Sequence, residues 1–159
     1  MSSARKHGEH PIFQKSRHGR VNEASAMLSG DGGGAGIDPD VRDRFGNTPL
    51  IVAAQNNRKR ISKMCVKAGV PLSASNNMGN SALHYCYSYG YFELGEYLVS
   101  KGADPMVRNA EGKTPRETLQ PEQLRALAQV QQEVQVKLAR RGSSRGRSGA
   151  SDIVSDSES

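Results

Sequence analysis

The sequence predicts an all-α repeat fold: a solenoid of helix–turn–helix units with finger-like β-turns, a C-terminal capping helix and a disordered tail. Three observations predict it. Glycine recurs at Gly46, Gly79 and Gly112, two steps of 33 residues, with a hydroxyl two places later at Thr48, Ser81 and Thr114. Gly36, Gly69 and Gly102 repeat the same interval. Pro49 and Pro115 occupy matching positions, with Ala82 between them. A fixed period of this length marks a stacked array, because one such unit cannot bury its apolar side alone.

Each element has a local cause. Thr48 and Ser81 are hydroxyl N-caps, able to accept a bond from an amide of the first helical turn. Proline at the next position has no N–H to lose and a φ already set for helix. Thr114-Pro115-Arg116-Glu117 adds a glutamate three residues after the cap, which is a capping box. Gly69 and Gly102 follow the apolar runs that contain Val66 and Val99, where a helix needs a left-handed stop. The unit is therefore helix, tight turn, helix, glycine stop and finger-like return.

Thr48-Pro49-Leu50-Ile51-Val52-Ala53 and Ser81-Ala82-Leu83-His84-Tyr85-Cys86 both follow the pattern T-P-L-H-x-A, each with departures. On these residues the chain resembles the ankyrin repeats, and the resemblance implies a β-turn and two helices per unit. The stretch from Asn80 to Pro115 is also loosely similar to ankyrin repeats of ciliated and flagellated protists. That likeness implies a cytoskeletal, axonemal or ciliary setting.

In chain order, residues 1–42 read as a degenerate first repeat. Gly8 precedes Pro11 as Gly46 precedes Pro49, but the step is 38 residues, and the surplus coincides with the glycine run 30–36. An insertion between helix end and finger turn accounts for it. The run lacks the lysine and Ser/Thr of a phosphate-binding loop. Residues 43–75 and 76–108 are the central repeats, with Leu50, Ala53, Ala54, Ile61, Met64, Cys65 and Val66 facing the core in one. Leu83, Cys86, Leu94, Tyr97, Leu98 and Val99 do so in the other. Tyr87 stands where Ala54 stands one repeat earlier, which implies wider helix spacing, and Asn57 replaces the glycine that Gly90 supplies. Residues 109–141 begin a fourth repeat, which Pro121 cuts short. The helix that follows carries Leu124, Leu127, Val134 and Leu138 on one stripe, either to cap the third repeat or to meet a partner helix. Residues 142–159 are Ser/Gly-rich and read as disordered. Ser143 follows Arg140-Arg141 as in a basophilic kinase site, and Ser155 precedes acids as in an acidophilic one.

Composition bounds the rest. The net charge is +6 with 35% hydrophobic residues, and no apolar run approaches the roughly 20 residues of a membrane span. The first ten residues are polar and lack a signal-peptide apolar region. Two cysteines, both in predicted helices, read as buried free thiols, so an intracellular, cytoplasmic protein is expected rather than a secreted one. No catalytic set assembles. His7-Gly8-Glu9-His10 lacks further metal ligands nearby. His84 occupies the helix-start position of the motif, where the resemblance implies a structural role. Cys86, two residues on, points away from it on a helix. Neither enzyme activity, metal nor cofactor is expected.

A protein-interaction module is the function that follows. The resemblance implies a concave recognition surface of finger turns and first helices. Matched positions there are Arg44, Phe45, Asn47, Gln55 and Asn56 in one repeat and Asn77, Met78, Asn80, Ser88 and Tyr89 in the next. Ala110, Glu111 and Lys113 continue the series. Phe45, Met78 and Tyr89 are the candidate anchors. The alternative is a polyanionic partner, nucleic acid or an acidic protein segment. Residues 43–75 hold six basic side chains against one acidic. Lys59, Lys63 and Lys67 form a helical stripe beside Arg58 and Arg60, either a solvated outer face or a binding patch, with the C-terminal arginines in support.

Overall fold

The computed structural model describes residues 9–30 and 36–157, with side chains described as far as residue 142. Three helix pairs stack in series: α1 (Pro11–His18) with α2 (Val21–Ser29), α3 (Pro49–Gln55) with α4 (Lys59–Lys67), and α5 (Ala82–Ser88) with α6 (Phe92–Ser100). A 3₁₀ turn, Arg116–Thr118, and a long helix, α7 (Pro121–Ser157), complete the chain. Helices α1, α3 and α5 pack in one row and α2 and α4 in the row behind, with α7 against α6. Among the described residues there is no strand, only a single antiparallel bridge between Ser75 and Ser81.

The helices begin where the caps dictate. Thr48 Oγ1 accepts the Ile51 N–H at 3.1 Å, with Pro49 filling the first helical position. The pair Thr114–Glu117 closes reciprocally, at 2.9 and 3.3 Å, but holds only the 3₁₀ turn before Pro121 opens the next helix. In the turn between paired helices Asn57 sits at φ 52°, the left-handed region that Gly90 occupies at 78°. Asparagine tolerates that region, so the pairing survives the loss of glycine.

The core lies between the two rows. Ile12, Phe13, Leu50, Ile61, Cys65, Leu83, Cys86, Leu94 and Leu98 are fully or almost fully buried, each large apolar side chain contributing about 1.5–3 kcal/mol. Met64, Val66, Tyr97 and Val99, expected in the core, are only half-buried, because the outer row turns one flank to solvent. Two packing details differ from the sequence reading. Tyr87 is buried against Gly95, where an added Cβ would lie 2.7 Å from the ring. Its hydroxyl donates to Glu96 Oε2 at 2.9 Å. Leu127 of α7 is fully buried, and Leu124 and Val130 flank it, so this end of the helix caps the third repeat. Leu138, on the same expected stripe, is half exposed.

The helix also runs on to Ser157, although composition predicts a disordered tail from residue 142. No proline after Pro121 removes a ladder N–H or crowds the preceding turn. The side chains of Ser143 and Ser155 lie outside those described, as do His7, Gly8 and residues 31–35 of the glycine run.

Candidate binding face

The finger turns are built by a polar residue repeated every 33 positions. Asp43 Oδ1 accepts the N–H groups of Phe45 and Asn47, each at 2.9 Å. Asn76 Oδ1 does the same for Met78 and Asn80, and Asn109 Oδ1 for Glu111 and Lys113. Each carbonyl or carboxylate thus satisfies two amides that the turn leaves without a backbone partner. The fingers then tie to one another. Asn77 N–H donates to the Phe45 carbonyl and Ala110 N–H to the Met78 carbonyl, both at 3.0 Å. That approach needs bare backbone: a Cβ on Gly46 would meet Asn77 N at 2.9 Å, and one on Gly79 would meet Ala110 N at 2.6 Å.

Side-chain amides cross the same gaps. Asn76 Nδ2 donates to Asn47 Oδ1 at 2.8 Å and to the Tyr85 hydroxyl at 2.8 Å, and Asn109 Nδ2 donates to Asn80 Oδ1 at 3.0 Å. Asn47, a candidate contact residue, is buried, and its amide is a strut between repeats; Asn80 is half-buried, its Oδ1 tied to Asn109 while the residue also borders a recess. Asn56, also half-buried, spends its amide on the Val52 carbonyl. The structural residues Asp43, Asn76 and Asn109 went unrecognised in the sequence reading, although their 33-residue spacing is plain in it.

His84 fixes the last link. Its Nδ1 accepts the Ser81 N–H at 3.0 Å, and its Nε2 lies 2.8 Å from the Lys113 carbonyl. A nitrogen that receives an N–H carries no proton, and one facing a carbonyl must donate. The ring is therefore neutral with its proton on Nε2. Burial holds its pKa below the ordinary 6.5, the Lys113 carbonyl opposing that shift. Cys65 and Cys86 are buried thiols whose pKa desolvation pushes up to about 12, which leaves them inert as nucleophiles.

What remains toward solvent is the candidate binding face. Phe45, Met78 and Tyr89 are 54%, 63% and 55% exposed, with the Arg44 guanidinium 4.7 Å from the Phe45 ring centroid. Tyr89 stacks on Tyr85 at 6.1 Å and tilts against Tyr91 at 5.8 Å, an aromatic cluster whose outer member meets water. Ser88, Glu111 and Lys113 join Asn80 and Tyr85 around a polar recess of about 230 Å³ beside it. Asn77 is exposed at the finger and Gln55 half-buried on α3. Near the N-terminus, Glu9 pairs with Arg17, and His10 caps α1 by accepting the Ile12 N–H at 3.2 Å. Among the described residues no group of three His, Cys, Asp or Glu side chains is gathered as metal ligands would be.

The basic residues lie on the opposite side. Arg58, Lys59, Arg60, Lys63 and Lys67 are all exposed on or beside α4. Lys59 Nζ is 3.9 Å from Glu93, Lys63 sits 5.5 Å from the Tyr97 ring centroid, and Arg58 donates to the Arg17 carbonyl at 3.0 Å. Part of the stripe thus holds the outer row together.

Stacked helix pairs joined by hydrogen-bonded fingers, with apolar side chains left on the finger side, define a repeat-type interaction protein. The chain belongs to the ankyrin-repeat family: the family model for ankyrin repeats (3 copies) matches residues 12–109. Relatives include human NF-kappa-B inhibitor alpha, 38% identical over 77 residues, or 45% of this chain and 24% of that protein. The BRCA1-associated RING domain protein 1 of Caenorhabditis elegans is 38% identical over 73 residues, 45% of this chain and 10% of the relative. The mouse B-cell lymphoma 3 protein homolog is 35% identical over 81 residues, 50% and 18%. The chain spans a quarter or less of the length of these relatives. Ankyrin repeats are protein-interaction modules, and no helix among the described residues is long and apolar enough to cross a membrane.

Proposed function

We propose that the chain is a non-enzymatic adaptor or complex subunit that binds a protein partner on its finger and first-helix side. One observation carries the reading. Phe45 and Met78 stand at equivalent finger positions, one repeat apart, and Tyr89 stands on the first-helix side, and all three keep more than half their surface in water. Large apolar groups left out of a core that buries their neighbours are what an interface anchors on. The polar recess beside Tyr89 adds directional groups to that apolar ridge. Two relatives are named for proteins they inhibit or associate with, which supports a protein ligand. An intracellular setting belongs to the same reading, supported by the two buried free thiols. So does a cytoskeletal or axonemal assembly, which rests on the likeness of residues 80–115 to protist repeats.

Affinity capture with the full chain and with a Phe45→Ala/Tyr89→Ala variant, followed by mass spectrometry, tests it. A partner recovered by the first and lost by the second supports the assignment. Equal recovery of every protein by both refutes it.

A further inference from the structure

The outer-helix side carries a second surface with its own chemistry. Two recesses open at the ends of the seam between α2 and α4. One, of about 250 Å³, is bordered by Val21, Ile61 and the basic Arg58 and Arg60. The other, of about 300 Å³, lies among Leu28, Met64, Ala68 and Lys67. Positions 60, 64, 67 and 68 fall on one face of α4, so basic heads and apolar stems alternate along the seam. Lys63 turns the other way, to Tyr97, and Lys59, which also borders the first recess, reaches toward Glu93 at 3.9 Å. Among the described residues no hydrogen bond or ion pair engages the side chain of Arg60 or Lys67.

We propose that the α2–α4 seam docks a short acidic protein segment whose apolar side chains enter the two recesses while its carboxylates meet Arg60 and Lys67. Charge complementarity names the occupant. Apart from Arg20, which pairs with Glu23, the basic side chains of this surface lie on one helix of nine residues and its N-cap Arg58, the helix about 13 Å long at 1.5 Å per residue. Outer helices on either side carry Glu23 and Glu93. A duplex presents a phosphate charge every ~1.7 Å and is met by basic residues spread over a long face. This surface is too short for that and too apolar, whereas a segment of a few turns matches both its length and its floor.

The probe is a labelled synthetic peptide of about four helical turns, with glutamate and leucine on adjoining faces, titrated into the full chain by fluorescence anisotropy. Saturable binding is expected. Arg60→Glu/Lys67→Glu should weaken it by about tenfold or more, and Phe45→Ala/Tyr89→Ala should leave it unchanged. Backbone amide shifts of the wild-type chain should move on α2 and α4. Absence of saturable binding, equal loss in the finger variant, or shifts confined to α3 and α5 would overturn the proposal. A single-stranded oligonucleotide that binds tighter than the peptide, with affinity falling by orders of magnitude between about 50 and 200 mM salt, would make the seam a nucleic-acid surface instead. Self-association without peptide that the Arg60→Glu/Lys67→Glu variant abolishes would make the occupant a second copy.

Discussion

Asn76 Nδ2 donates to Asn47 Oδ1 at 2.8 Å, joining two finger turns through side chains that are both buried. The other end of the same amide holds the N–H groups of Met78 and Asn80. Removing it strands two donors, the Met78 and Asn80 N–H groups, and two acceptors, Asn47 Oδ1 and the Tyr85 hydroxyl. Asn76→Ala is expected to cost about 1–3 kcal/mol in urea titration, the penalty for buried polar groups left unpaired. Asn76→Asp keeps the acceptor, as Asp43 does one repeat earlier, and should cost less. A loss below about 0.5 kcal/mol for the alanine variant, the size of an ordinary surface change, would remove the amide from the account.

His84 gives the fold a pH dependence whose sign is fixed. Burial lowers the folded ring's pKa below the ordinary 6.5, the Lys113 carbonyl opposing the shift, and Nδ1 already accepts the Ser81 N–H. The unfolded chain therefore takes up the proton first. Stability from this group is complete above about pH 6.5 and declines as pH falls through the folded value. Urea midpoints for wild type and His84→Ala, compared near pH 7.5 and near pH 5, should converge at the lower pH. Parallel midpoints would contradict the neutral-ring assignment.

The Tyr87–Gly95 contact should behave as a coupled pair. Gly95→Ala places a methyl group 2.7 Å from the Tyr87 ring and should destabilise by about 1–3 kcal/mol, despite the gain in helix propensity. In a Tyr87→Ala background the same change should be neutral or stabilising. Additive losses in the double-mutant cycle would show that the ring does not depend on the glycine.

Helix α7 is a cap at its start and open further on. Leu127→Ala should cost about 2–5 kcal/mol, as truncation of a buried leucine does. Leu138→Ala should fall within about 0.5 kcal/mol. Equal effects would mean that the stripe is buried or exposed as a whole.

The fold was legible because its signals are local and periodic. Thr48, Ser81 and Thr114 name the helix starts, and the glycines name the stops. The single slip in register falls on a glycine run. The candidate binding face was legible in position but not in direction. Phe45, Met78 and Tyr89 project into water as the repeat register implies. Asn47 and Asn80, at positions just as regular, turn inward, because Asn76 and Asn109 reach across to their amides. Spacing says where a residue sits on a finger, but a hydrogen-bond partner from the next repeat decides where its side chain goes. Tyr87 shows the same limit. Its burial depends on Gly95, which lies on the paired helix and aligns with Ser62 one repeat earlier.

The central claim, that recognition belongs to the finger side, is tested most directly by affinities for the captured partner. Four single variants are compared in titration calorimetry: Phe45→Ala and Tyr89→Ala on that face, Lys59→Glu and Lys63→Glu on the outer helix. Each aromatic truncation should cost more than about 1 kcal/mol, as interface anchors do. The lysine reversals should matter mainly at low salt, since exposed charges are screened within roughly 8–10 Å at physiological ionic strength. Silent aromatic truncations together with lysine reversals that abolish binding would contradict the claim and move the site to the outer helices.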